Sequence, residues 1–183
     1  ATVDDGSCSG YPDNGEYDLS FDGVDDYVDM GDVTFLDGLN NLTLCSRVKI
    51  DSPNANRTMV LSKDNAYELF FDNSGNQICL RLNNGNYNGV NFEFLTDRFY
   101  YLTAVLDSDT IKYYVDGELI STVAATVSPL NNTSSVLTIG GRRNYHSLNG
   151  NIDDVTIWNR ALTQEEIQSS ISVLSGDEDN LVG

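Results

Sequence analysis

The chain has 183 residues, of which 40% are hydrophobic, so it can bury one sizeable core and its length fits a single domain. Its 28 acidic and 10 basic residues give a net charge of −18, which argues against nucleic acid or an anionic membrane surface as a partner. No apolar run reaches the roughly 18 residues of a membrane span, so we expect no membrane insertion.

Apolar and polar residues alternate with a period of two through most of the chain, and β-branched and aromatic residues carry the pattern. Turn-forming stretches such as DNSGN, NNGNYNG and VDGEL separate the alternating segments. The pattern predicts an all-β fold, an antiparallel two-sheet β-sandwich. The predicted strands lie near residues 17–22, 42–50, 58–63, 67–72, 77–83, 99–106, 110–116, 118–123, 136–140 and 152–158.

One short C-terminal helix is predicted after the last strand. Thr163 and Glu166 have the spacing of a capping box, and Ile167, Ile171 and Leu174 follow on one face. We therefore expect this helix to pack on the sandwich as a brace.

Both ends of the chain are polar and rich in turn-forming residues. We interpret residues 1–16 and 175–183 as linkers, which leaves residues 17–174 as the folded domain. The expectation is a module cut from a larger protein whose neighbouring modules lie on either side.

Five stretches resemble the laminin G-like and pentraxin-like jelly rolls of the concanavalin A-like lectin/glucanase superfamily, as found in large secreted bacterial proteins. They are LSFDGVDDYVDMG, LTLCSRVKI, TIKYYVDGELIST, LTIGG and GNIDDVTIWNRALTQEEI. The resemblance implies a jelly-roll sandwich in a secreted or cell-surface protein. It departs from the family at Arg47, where relatives usually have tryptophan.

Carboxylates near both ends of the predicted domain suit a calcium site. In NIDDVTIW the side chains alternate, so one aspartate lies at the edge of the apolar layer. Calcium takes six to eight oxygen ligands, and the resemblance implies that the first and last strands are neighbours joined by a structural Ca²⁺. The predicted ligands are Asp22, the carbonyl of Gly23 and Asp153, with Asp25 as a weaker candidate. In the alternative, Asp22, Asp25 and Asp26 form a solvated Asx turn.

Two loops have the composition of a carbohydrate-binding surface. The loop GGRRNYHSLNG places Arg142, Arg143, Tyr145 and His146 together, combining planar hydrogen-bond donors with an aromatic ring. The loop NNGNYNG places Tyr87 among asparagines. Alternatively, both are ordinary sandwich loops whose tyrosines cover the edge of the core.

The chain has three cysteines, so at least one is unpaired within it. Cys45 and Cys79 both point away from the apolar layer, and a disulfide between them is feasible if their strands are adjacent. In that case Arg47 and Arg81 flank a sheet face open to an anionic glycan. Otherwise the cysteines are two small residues on a polar face. Cys8 is the third cysteine, and its pairing stays open.

Catalytic chemistry has little support in the sequence. Relatives that cleave glucans resemble one another in an ExDxxE strand motif, which is absent here. Lyases on this scaffold use a His and Tyr pair, and His146 follows Tyr145, but the lyase strand motifs are missing.

We therefore predict a noncatalytic, lectin-like module that binds a polysaccharide or other glycan and is stabilised by calcium. Two other readings stay open. One is a protein-binding adhesion or spacer domain without a sugar site. The other is an atypical glycan-cleaving enzyme, either a polysaccharide lyase or a glycoside hydrolase.

Overall fold

The computed structural model describes residues 18–53, 57–72, 76–85, 87, 89–96, 98–125, 129–142 and 145–171. The predicted linkers, Cys8 and Arg143 lie outside these residues. Within the described ranges, no helix is long and apolar enough to cross a membrane.

The described residues form twelve strands, a short 3-10 helix at Thr34–Leu36 and one α-helix. All ten predicted strands are present, within a few residues of their predicted bounds. In chain order the elements are β1 Leu19–Asp22, β2 Val28–Asp29, β3 Asn41–Ile50, β4 Arg57–Lys63, β5 Tyr67–Asp72, β6 Gln77–Leu82, β7 Val90–Asn91, β8 Tyr100–Asp107, β9 Thr110–Val115, β10 Glu118–Ala124, β11 Leu137–Ile139, β12 Asn149–Trp158 and α1 Gln164–Ser170.

The strands form two antiparallel sheets of six, which confirms the predicted sandwich. The first sheet has the order β1-β12-β3-β8-β9-β10, and the second has the order β2-β11-β4-β5-β6-β7. Because β1 pairs with β12, the first and last strands are neighbours, as the family resemblance implied.

The main core lies between the sheets and follows from the alternation. On β3, Leu42, Leu44 and Val48 are buried in this core, and on β5 Leu69 and Phe71 meet them from the second sheet. Full burial of such a side chain stabilises the fold by about 1.5–3 kcal/mol.

The outer face of the first sheet is partly closed by the helix. The Thr163 side chain accepts a hydrogen bond from the Glu166 backbone, and the Glu166 carboxylate accepts one from Thr163, so the predicted capping box is confirmed. Ile167 is fully buried. It belongs to an apolar cluster that includes Cys45, Val105, Tyr114, Trp158 and Leu162.

The predicted Cys45–Cys79 disulfide is wrong. Cys45 lies on β3 in the first sheet and Cys79 on β6 in the second, and both thiols are free and buried. Each belongs to an apolar cluster outside the main core, so the two cysteines lie on opposite outer faces of the sandwich.

Candidate functional site

The segment 140–148 is described at residues 140–142 and 145–148, which form backbone hydrogen bonds with β4 in the second sheet. It leaves β11 at Gly140, whose φ of 78° and close approach to the Phe21 ring admit only glycine; a Cβ there would lie 2.1 Å from Cε1 of that ring. Arg142 and Tyr145 exchange backbone hydrogen bonds of 3.0 and 2.7 Å, which join the two described parts of the segment. The His146 carbonyl accepts a 2.9 Å hydrogen bond from the amide of Met59 on β4, so this part of the segment is hydrogen-bonded to the second sheet.

A buried carboxylate fixes one side of this segment. Glu68 is only 2% exposed, and the register places it between Ser62 on β4 and Arg81 on β6. Its oxygens lie 2.5 Å from the Arg81 guanidinium and 3.2 Å from that of Arg142. Arg142 also pairs with Asp64 at 2.5 Å. Glu68 therefore joins two of the predicted ligand-binding arginines in one ion-pair network.

The loop carrying Tyr87 covers the same sheet face. The Tyr87 ring packs edge-on against Phe70 at 5.0 Å between centroids, and the Arg57 guanidinium lies 5.0 Å from the Tyr87 centroid. Its hydroxyl donates a hydrogen bond to Asp72, which raises the pKa of Tyr87. Tyr87 thus caps the buried cluster of Met59, Phe70 and Cys79, the packing role that the sequence left as an alternative.

A cavity of about 560 Å³ lies beside the segment 140–148. The Tyr145 side chain is 68% exposed at this cavity and is free to meet a ligand. The lining residues are Ser62, Asp64, Ser134, Ser135, Val136, Thr138, Arg142, Tyr145 and His146. Three of the predicted binding residues therefore come together, whereas Tyr87 and Arg81 are not among the lining residues.

Lys63 fixes the chain at Ser135, one of the lining residues of the cavity. This lysine is fully buried, and its ammonium donates 3.2 Å hydrogen bonds to the carbonyls of Thr133 and Ser135. It also contacts Asp32 at 2.8 Å and Asp37 at 3.3 Å. The sequence pattern alone did not single out Lys63, because its partners come from distant segments.

His146 contributes an uncharged imidazole at neutral pH. Partial burial lowers the pKa of His146, and the positive charges of Arg57 and Arg142 lower it further. Neutral imidazole both donates and accepts hydrogen bonds. His146 therefore suits a hydroxyl-bearing ligand.

Arg47 does not join this site. It lies in the first sheet, where its guanidinium pairs with Asp153 at 3.0 Å and stacks on the Phe99 ring at 4.1 Å. The predicted face flanked by Arg47 and Arg81 is therefore wrong, because the two arginines belong to different sheets.

The predicted calcium ligands come together only in part. Asp22, Asp25 and Asp26 place carboxylate oxygens within 4.8 Å of one another. The turn has the Asx form that the sequence left as the alternative: the Val24 amide donates to the Asp22 carboxylate at 2.8 Å, and Gly23 adopts a φ of 81°. Such hard oxygen donors fit Ca²⁺.

Asp153 lies away from this cluster, so its predicted ligand role beside Asp22 is wrong. Asp22 pairs with Asn149, and Asp153 is four residues further along β12, which corresponds to about 13 Å. There Asp153 pairs with Arg47 instead. Asp26 is the third carboxylate of the cluster in place of Asp153. Its position next to Asp25 in the sequence was the signal that could have identified it as a candidate ligand.

The sequence profile of the concanavalin A-like lectin/glucanases superfamily matches residues 22–168. The chain belongs to this superfamily. The match covers both sheets and extends into the helix, so the family assignment and the jelly-roll architecture agree.

Among curated proteins, human pappalysin-1 is 34% identical over 82 residues. That stretch is 43% of this chain and 5% of pappalysin-1, so the chain corresponds to a small part of this relative.

Solved structures with the same fold are distant in sequence. A candidate carbohydrate-binding protein from Bacteroides ovatus has a TM-score of 0.68 at 14% identity, covering 90% of this chain and 50% of that one. The native SAP-like pentraxin of Limulus polyphemus has a TM-score of 0.63 at 19% identity, with 90% of both chains covered. The CBM40 of the Ruminococcus gnavus IT-sialidase, bound to α2,3-sialyllactose, has a TM-score of 0.60 at 13% identity. The match covers 84% of this chain and 97% of that one.

Proposed function

We propose that this domain is a noncatalytic carbohydrate-binding module of a secreted or cell-surface multidomain protein. The observation that carries the proposal is the cavity beside the segment 140–148, where the exposed Tyr145 ring lies next to Arg142, His146 and several hydroxyl groups. A flat apolar ring beside a few convergent polar groups is the general form of a site that orients a small polar ligand.

The related structures support a glycan as the ligand class. One of them is a sialidase module in complex with sialyllactose, and another is a candidate carbohydrate-binding protein. A jelly roll hosts several functions, so this support adds to the cavity and does not replace it.

The composition of the cavity favours binding over hydrolysis. Glycoside hydrolysis generally uses two carboxylates that flank the scissile bond. Among the described residues that line the cavity, Asp64 is the single carboxylate, and it pairs with Arg142. A module that binds without cleaving needs no such pair.

Glycan-array binding and affinity electrophoresis against a polysaccharide panel test the proposal. We expect Tyr145→Ala to weaken binding about tenfold, because about 1.4 kcal/mol of ring contact is lost. Phe35→Ala is the matched control, since Phe35 is a similarly exposed ring outside this cavity. Equal affinity of the Tyr145 variant and the wild type would reject this binding site.

We further propose that Asp22, Asp25 and Asp26 hold a structural Ca²⁺. Bound there, the ion would neutralise three carboxylates beside the β1–β12 pair and stabilise the folded state by mass action. These residues lie outside the cavity lining, so the ion is given no part in ligand chemistry.

Thermal unfolding with added CaCl₂ or with a chelator tests the calcium proposal. We expect calcium to raise Tm in the wild type and in Asp109→Asn, and to leave Tm unchanged in the Asp25→Asn, Asp26→Asn double variant. An unchanged wild-type Tm at millimolar calcium would refute it.

A protein-binding adhesion domain is the second candidate function. It is favoured by an apolar cavity of about 290 Å³ beside the exposed Met30 and Phe35. Residues 18–46 contain seven aspartates and no lysine or arginine. The fitting partner is a cationic peptide segment with one large apolar side chain. Binding of a Lys-Leu-Lys peptide that is lost in Phe35→Ala, without any glycan binding, would favour this alternative.

A further inference from the structure

The arginines that the structure describes beside the cavity already contact other groups of the protein. Arg142 contacts both Asp64 and Glu68, and Arg81 contacts Glu68 from the other side. Arg57 lies over the rings of Phe70 and Tyr87. Among the described lining residues, Arg142 is the one permanent cation, and its charge is balanced by groups of the chain itself.

Arg142 cannot leave this arrangement easily to meet a ligand. Glu68 is 2% exposed, and an ionised carboxylate in that position is strongly destabilised unless cations remain beside it. Moving Arg142 toward a ligand anion would leave Glu68 with Arg81 as its single close cation among the described residues. The buried carboxylate therefore keeps the Arg142 guanidinium directed at the protein.

The ion pairs beside the cavity offer an anion no net positive charge, because Asp64 and Glu68 balance Arg81 and Arg142. The Asp64 side chain is 37% exposed and lines the cavity. The whole chain carries a net charge of −18, which lowers the local concentration of polyanions around it.

Neutral hydrogen-bonding groups make up the rest of the polar lining. Ser134 and Ser135 supply hydroxyls, and His146 supplies an imidazole. Hydroxyls and imidazole both donate and accept hydrogen bonds, which matches the hydroxyl groups of an uncharged sugar.

We propose that this site binds neutral glycans and discriminates against their sialylated, uronic-acid-containing and sulfated counterparts. The proposal rests on the carbohydrate-binding function proposed above and names its ligand class. It differs from the anionic glycan considered for a face flanked by Arg47 and Arg81, because those two arginines lie in different sheets.

The test compares neutral and charged members of matched glycan pairs on the full chain. The pairs are lactose with 3′-sialyllactose and desulfated κ-carrageenan oligosaccharides with the native sulfated ones. We expect the neutral member of a recognised pair to bind at least tenfold more tightly. Its affinity should change less than twofold between 50 and 500 mM NaCl, because no ligand charge is screened.

Asp64→Asn provides a second readout. Removing this carboxylate releases Arg142 from one partner, so the ratio of charged to neutral binding should rise about tenfold. Asp51→Asn is the matched control, since Asp51 is exposed and pairs with Lys49 instead; its ratio should equal that of the wild type.

The outcomes separate the two proposals. Tighter binding of the charged members that depends on Tyr145 would overturn the neutral-ligand inference and leave the glycan-binding function standing. An absence of binding to every member, and to the polysaccharide panel, would overturn the function and the inference together.

Discussion

The two outer faces of the sandwich are covered in different ways. On the first sheet, Ile167 of the helix and Leu162 pack on Trp158 and Tyr114, so the cover is apolar and tightly buried. On the second sheet the cover is the loop of Tyr87 and the segment 140–148, attached through ion pairs and a few hydrogen bonds. An apolar cover closes a face, whereas a polar loop cover leaves a cavity of about 560 Å³ beside it.

The largest expected effect concerns the ion pairs beneath the segment 140–148. Glu68→Gln should lower the free energy of unfolding by about 3–4 kcal/mol, because it leaves two arginines without their buried carboxylate. Glycan affinity should fall as well, since Arg142 loses a fixed partner. Urea denaturation of this variant and of the exposed control Glu93→Gln measures the difference. Equal stability of the two variants would show that the network contributes little.

Shortening a buried side chain of the helix should lower the stability of the fold without changing glycan binding at the cavity. Ile167→Ala removes a fully buried side chain and should lower the free energy of unfolding by about 2–3 kcal/mol. Glycan affinity should stay within twofold of the wild type. The exposed Glu165→Ala is the control on the same helix. A large loss of glycan affinity in the Ile167 variant would contradict the separation of the two faces.

Loss of the helix cap should have a smaller effect in the same direction. Thr163→Ala removes the side-chain acceptor of the Glu166 amide and should lower the free energy of unfolding by about 1 kcal/mol. Thr163→Ser, which keeps the hydroxyl, should restore most of the loss. Identical stabilities for the Ala and Ser variants would argue against the capping role.

The smallest expected effect is the pH dependence that His146 contributes. Its folded pKa lies below its unfolded value of about 6.5, so the two states bind protons equally above that value. As pH falls from about 6.5 through the folded pKa, the unfolded chain binds the proton more readily and stability is lost. His146→Gln should therefore lose less stability than the wild type between pH 7.5 and 5.5 in urea titrations. Parallel pH profiles would contradict the direction of the shift.

The strands could be predicted because their signal is local. Alternation in segments such as LTLCSRVKI and YELFFD marks each strand and its apolar face without knowledge of its neighbours. The strands β2 and β7 escaped prediction because two residues cannot show a period. The helix was predictable from the Thr163–Glu166 spacing, which is also local.

The site was predictable only in part, because its decisive contacts are non-local. Arg142, Tyr145 and His146 were found from loop composition. The partner of Arg142, however, is Glu68 on β5, and the partner of Asp153 is Arg47 across the β12–β3 pair. Strand register and the path of the loops decide which side chains pair. Neither can be predicted from the alternation of apolar and polar residues within one segment.

Amide chemical-shift mapping of the isotope-labelled chain, titrated with a neutral oligosaccharide that binds it, tests the central claim most directly. We expect the perturbed amides to lie in residues 62–64, 134–138, 140–142 and 145–148, with little change around the helix. Perturbations centred on Arg47 and Tyr101, on the outer face of the first sheet, would contradict it.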